Sequence, residues 1–79
     1  MKKITEYSVK KFPSNIELFL YYAGGRLNMH LDLGILINSK STIKEIQSSI
    51  LLFVEEIEPN VCISKNLAYE IAKKIKWYI

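Results

Sequence analysis

Apolar and polar residues alternate along the stretch from Arg26 to Asn38, which reads RLNMHLDLGILIN. Every odd-numbered position in it is apolar. Successive side chains of a β-strand point to opposite faces, so this pattern predicts a strand with one face against a core. The polar row on the other face consists of Arg26, Asn28, His30 and Asp32.

A second strand is predicted just before it, in the segment IELFLYY at 16–22. Gly24 and Gly25 lie between the two, and glycines can adopt the positive φ angles of a two-residue type I′ turn. With this turn, paired residue numbers sum to 49. One face then pairs Ile16, Leu18, Leu20 and Tyr22 with Leu33, Leu31, Met29 and Leu27, and the other pairs Glu17 with Asp32, Phe19 with His30, and Tyr21 with Asn28.

The segments on either side of the hairpin complete the predicted sheet. Residues 3–11 alternate loosely and predict a further strand, which ends before Pro13 because proline cannot donate to a ladder. The apolar residues 35–37 extend beyond the first hairpin strand. We expect them to pair with residues 3–11 or with another chain, with Gly34 at a bulge or bend.

Two helices are predicted after residue 40. Thr42 and Glu45 have the spacing of a capping box, Pro59 ends the first helix, and Ser64 can cap the second. Each helix has an apolar stripe at helical spacing. The stripes are Ile43, Ile46, Ile50, Phe53, Val54 and Ile57 in the first helix, and Leu67, Ala68, Ile71, Ala72, Ile75 and Tyr78 in the second.

The predicted order is therefore β-β-β-α-α, an α+β fold. We expect a single domain, residues 1–79, in which an antiparallel hairpin or three-stranded sheet packs one face on two helices. A chain of this length has a small core, yet 49% of its residues are apolar. This high apolar fraction suggests that a further surface is buried in a homodimer, which would form through the free strand end or the wide apolar face of the first helix.

The composition indicates a cytoplasmic protein without cofactors. Cys62 is the only cysteine, which excludes an internal disulfide and fits a reducing compartment. We expect it to be a buried structural residue, because a reactive thiolate needs a basic setting. No apolar run resembles a signal peptide core or a membrane span.

No constellation in the sequence points to an enzyme. Phosphate loops, dinucleotide fingerprints and metalloprotease motifs are absent. His30, Asp32 and Glu17 could form a pH-sensitive or metal-binding cluster, but a metal site usually needs more strong ligands. The sequence favours a solvated strand face and predicts no catalytic or metal site.

The leading functional hypothesis is a small binding protein that acts on a protein partner, as a regulator or inhibitor. Phe19 and Tyr21 are large aromatic residues on the predicted wet face of the hairpin, and they form a candidate protein interface together with His30. A short, Lys- and Ile-rich chain without catalytic motifs fits the products of phages and other mobile elements.

The alternative hypothesis is a nucleic-acid-binding regulator. Residues 1–12 and 61–79 each carry a net charge of +3, whereas the middle of the chain is mildly acidic. Lysines beside an aromatic residue can bind phosphates and stack on bases. The candidate residues are Lys73, Lys74, Lys76 and Trp77. The opposing interpretation, which the sequence favours, has Trp77 folded back onto the body of the protein.

Two coarse resemblances concern the fold. A strand followed by two helices, ending in ISKNLAYEIAKKI, resembles a ribbon-helix-helix protein, which implies a DNA-binding dimer formed through the strand. The hairpin before that strand and the acidic Asp32 depart from that pattern. The segment IELFLYYAGGRLNMHL with STIKEIQ resembles the opening of a β-grasp fold, but residues 58–79 indicate a helix where that fold has strands.

Overall fold

The computed structural model describes all residues from 1 to 79 and has seven elements. They are β1 (Lys2–Lys3), β2 (Glu6–Lys11), β3 (Asn15–Tyr22), β4 (Gly25–Asp32), α1 (Ile43–Ile57), β5 (Val61–Cys62) and α2 (Lys65–Tyr78). Strands β2, β3 and β4 form an antiparallel sheet in that order, and two helices follow it. The predicted α+β fold is confirmed.

The N-terminal strand is shorter than predicted, and a second sheet is present. Residues 3–11 are divided between β1 and β2, and β1 pairs in parallel with β5 from the link between the helices. The amide of Ile4 donates to the carbonyl of Cys62 at 2.9 Å. Ile4 is buried beside this small sheet, so the start of the chain closes one end of the core.

The hairpin has the predicted faces but a different register. Paired residue numbers sum to 47, so Glu17 faces His30 and Phe19 faces Asn28. The type I′ turn is wrong: Ala23 and Gly24 form the loop, and Gly24 alone has a positive φ, of 94°. Because the register differs by two residues, every side chain keeps its face.

Glycine suits position 25 for a steric reason. It pairs with Tyr22, and a Cβ atom on Gly25 would lie 2.8 Å from the hydroxyl oxygen of that tyrosine. This arrangement places Gly24 at the second loop position, where a positive φ favours glycine.

The second hairpin strand ends earlier than predicted. Residues 33–37 form a turn instead of a strand end, since Gly34 has a φ of 91° and its amide donates to the carbonyl of Ile37 at 2.6 Å. Ile37 is consequently buried in the core, whereas Ile35 is 82% exposed. The expected pairing of residues 35–37 with residues 3–11 does not occur.

Both helix starts are confirmed. Thr42 and Glu45 form a reciprocal capping box, and the Ser64 hydroxyl accepts from the amide of Leu67. The first helix ends at Ile57, two residues before Pro59. Neither helix is long and apolar enough to cross a membrane.

The core lies between the helices and one face of the three-stranded sheet. All of its buried side chains are apolar, and they come from β3, β4, both helices, Val61 of β5, Ile4 after β1 and Ile37 in the turn after β4. The fully buried members on the sheet include Ile16, Leu18 and Leu20, so this inner face is closed. The opposite face carries no helix.

Candidate functional site

The first candidate surface is the outer sheet face, defined as the side chains of β2, β3 and β4 that point away from the helices. It contains the protein-interface residues that the sequence proposed. The cross-strand rows on this face are Lys10–Glu17–His30, Ser8–Phe19–Asn28 and Glu6–Tyr21–Arg26.

Phe19 is less available on this face than its sequence position suggested. It is half-buried, with the Lys10 ammonium 6.0 Å and the Arg26 guanidinium 5.5 Å from the centre of its ring. These distances are typical of cation–π contacts. Phe19 is therefore flanked by cations from both neighbouring strands, while Tyr21 is half-buried further along the central strand.

His30 is exposed and has a carboxylate partner. Its Nε2 atom lies 3.4 Å from Oε1 of Glu17, an ion pair that requires the imidazole to be protonated. In the observed register Asp32 faces Asn15, so the predicted opposition of Glu17 and Asp32 does not occur. No group of three or more His, Cys, Asp or Glu side chains is placed to hold a metal ion.

The second candidate surface lies between α2 and β2, which pack against each other. We call Tyr7, Lys73, Lys74 and Trp77 the basic aromatic surface. Together with Glu70 they line an open depression of about 360 Å³. Trp77 is 83% exposed, so the expectation that it folds back onto the body of the protein is wrong.

The lysines of this end of α2 differ in their surroundings. Lys73 lies 3.1 Å from a carboxylate oxygen of Glu70, and both side chains are well exposed. An exposed pair of this kind contributes little to stability and leaves Lys73 available to another anion. Lys76 instead donates to the carbonyl of Ser39 at 2.7 Å, a contact that holds the helix to the loop before α1.

Charge is distributed unevenly between the two sides of the helix pair. Strand β2 and helix α2 together carry six lysines and two glutamates, a formal net charge of +4. Helix α1 carries one lysine and three glutamates, a formal net charge of −2. The positive charge is therefore concentrated on β2 and α2, with Lys10 on the outer sheet face and Lys73 and Lys74 beside Trp77.

Cys62 lies in β5 and is half-buried, not fully buried as expected. Its neighbours in an open apolar depression of about 380 Å³ include Met1, Leu51 and Ile63. Lys65 is the nearest lysine along the chain, and no basic side chain lines this depression. The surroundings favour a packing role for the thiol.

Sequence reasoning identified Trp77 and its lysines but missed Tyr7. This residue was assigned only to a loosely alternating strand, because its proximity to α2 depends on a contact between the two ends of the chain. The only sequence feature that could have pointed to Tyr7 is its position as an aromatic residue in a basic N-terminal segment.

Comparisons with known proteins give no relationship for this chain. No protein-family model, no curated protein and no solved structure matches it significantly.

Proposed function

We propose that the protein is a non-enzymatic nucleic-acid-binding protein that contacts single strands through its basic aromatic surface. The observation that supports this most is Trp77, which is 83% exposed beside Lys73 and Lys74. An indole in water at the end of a lysine-rich helix has a large face on which a base can stack.

The charges of this surface suit the backbone of a nucleic acid. Lys73 and Lys74 are exposed and line the same depression as Trp77. Phosphate contacts of this kind supply affinity without sequence readout. A single strand is favoured over a duplex, because stacking on Trp77 requires an accessible base face.

The fluorescence of Trp77 provides the test, since it is the only tryptophan in the chain. The protein is titrated with a mixed-sequence single strand and with a mixed-sequence duplex, each at low and at moderate salt. We expect saturable quenching by the single strand that weakens as salt rises. Absence of a saturable response to the single strand would refute the proposal.

A second candidate function is the regulation or inhibition of a protein partner through the outer sheet face. The supporting observation is that no element of the chain covers this face, although Phe19 and Tyr21 lie at its centre. Aromatic residues and arginine are enriched at protein interfaces.

The two functions are separated by paired substitutions. Phe19→Ala with Tyr21→Ala should abolish binding to a protein partner and leave nucleic-acid binding intact. Lys73→Ala with Lys74→Ala should have the opposite effect. If the protein still binds its protein partner after both Phe19 and Tyr21 are replaced by Ala, the outer sheet face is not the contact surface for that partner.

A further inference from the structure

Strand β4 has a free edge from Arg26 to His30, before the turn at residues 33–37 begins. It is the last strand of the β2-β3-β4 sheet, and β3 is the only element that runs beside it. Its eight residues contain no proline, which is one of the features that protect edge strands from pairing. The other edge of the sheet, β2, lies beside α2.

The hairpin register determines which backbone groups point to this edge. The amide of Leu33 donates to the carbonyl of Ser14 at 3.0 Å, so the odd-numbered residues of this strand bond to β3. In an antiparallel ladder the intervening residues turn their N–H and C=O groups outward. These residues are Arg26, Asn28, His30 and Asp32, and the carbonyl of Asp32 accordingly accepts from Leu36 at 3.0 Å instead of from β3.

We propose that two copies of the chain form a dimer by antiparallel pairing of their β4 edges, with Met29 of each copy on the two-fold axis. In this register, Arg26 of one copy lies opposite Asp32 of the other, and Asn28 lies opposite His30. Opposite charges in directly facing positions stabilise a β pair, and the symmetry produces this ion pair twice.

Other registers lack this complementarity. A shift of two residues in the pairing, with Asn28 or His30 on the axis, separates both Arg26–Asp32 pairs, and the His30 register also shortens the ladder. A shift by a single residue brings inward-facing backbone groups opposite outward-facing ones and reverses the apolar row. The chosen register instead aligns Leu27 of one copy with Leu31 of the other, which continues the inner face across the axis.

The dimer has a six-stranded sheet and a continuous outer sheet face. The basic aromatic surface of each copy lies at the β2 side, away from the new interface. Dimerisation is therefore independent of the proposed nucleic-acid binding, and either can fail without the other.

Sedimentation velocity over a range of protein concentrations, without nucleic acid, tests the dimer. The wild-type mass should rise from 9.2 kDa to twice that value as concentration increases. Arg26→Asp opposes two carboxylates at each end of the interface and should give a monomer. Arg26→Asp combined with Asp32→Arg exchanges the two charges and should restore the dimer.

Two controls make the result specific. Lys3→Asp has the same charge change as Arg26→Asp at an exposed residue of β1, and it should remain dimeric. Asn28→Pro removes an outward-facing amide and should also give a monomer, with circular dichroism verifying the fold. If this variant does not fold, the charge exchange alone gives the answer.

A wild-type protein that stays monomeric at every concentration would overturn the proposal. So would a dimer that persists in a folded Asn28→Pro variant, because the interface would then lie elsewhere. Loss of the dimer in Arg26→Asp without recovery in the exchanged variant would refute the register.

Discussion

Trp77 is the residue on which the proposed function depends most. It lies on the side of α2 opposite to the buried Ile71 and Ile75, so packing within the chain does not explain its size. Large apolar side chains isolated at a protein surface are common and need no function. Here the indole has Lys73, Lys74 and Tyr7 around it, which is the combination expected of a stacking site.

Substituting Trp77 by Ala should affect binding and stability differently. The free energy of unfolding should change by less than about 0.5 kcal/mol because the side chain is exposed. Affinity for a fluorescently labelled single strand should fall about tenfold, which corresponds to about 1.4 kcal/mol of stacking. Leu52→Ala, at an exposed position on the acidic helix, is the matched control and should bind like wild type. A similar drop in affinity in both variants would contradict a stacking role.

Glu45, at the start of α1, makes a pH-dependent contribution to the stability of the folded protein. The amide of Thr42 donates to its carboxylate at 2.8 Å, and this bond, with the Thr42 side chain, holds the pKa of Glu45 below its ordinary value. A lowered folded-state pKa stabilises the protein above the unfolded pKa of about 4.3. The stabilisation is lost as the pH falls through the lower folded-state pKa.

Chemical denaturation of wild type and Glu45→Gln checks this sign. The glutamine keeps an acceptor but cannot titrate. Wild type should have the higher free energy of unfolding at neutral pH. The difference from Glu45→Gln should shrink as the solution becomes acidic. An advantage that grows on acidification would show that the carboxylate is destabilised in the folded state.

At the scale of elements, the hairpin and the N-terminus show what the sequence could determine. Alternation identified the buried faces of β3 and β4, and the capping residues located both helix starts. The register could not be found the same way, because a shift of two residues preserves each face. The packing of the Tyr22 ring against Gly25 distinguishes the two registers, and that contact exists only in the folded hairpin.

The small β1–β5 sheet was missed for a related reason. Two-residue strands have no detectable periodicity, and their pairing joins the first residues of the chain to residues 61–62. The proximity of Tyr7 to Trp77 likewise joins distant segments, because β2 packs against α2. Local sequence patterns identify the buried face of a strand and the capping residues of a helix. Contacts between distant segments depend instead on how the whole chain packs.

Ile4 and Ile35 test this description of the elements. Ile4 is 2% exposed beside the β1–β5 sheet, and Ile35 is 82% exposed in the turn after β4. Ile4→Val should lower the free energy of unfolding by about 1 kcal/mol in urea, and Ile35→Val should change it by less than about 0.5 kcal/mol. Equal effects, or a larger effect at Ile35, would contradict the packed N-terminus.

At the scale of the whole molecule, the two helices differ in net charge. Helix α2 carries four lysines and one glutamate, a formal net charge of +3, and α1 has −2, so an anionic polymer should approach the helix that carries Trp77. Substitutions at Lys73 and Lys74 should therefore weaken binding more than equal changes in charge elsewhere on the surface.

The most direct test of nucleic-acid binding is the salt dependence of single-strand affinity in two charge-matched variants. Lys73→Ala with Lys74→Ala should weaken binding and reduce the slope of log K against log salt by about 1.4, since each phosphate that a lysine neutralises on a single strand contributes about 0.7. Lys3→Ala with Lys65→Ala has the same net charge but changes lysines outside the basic aromatic surface, and its slope should match wild type. Equally weakened binding in the two variants would show that only the overall charge matters, and would contradict a defined site at the end of α2.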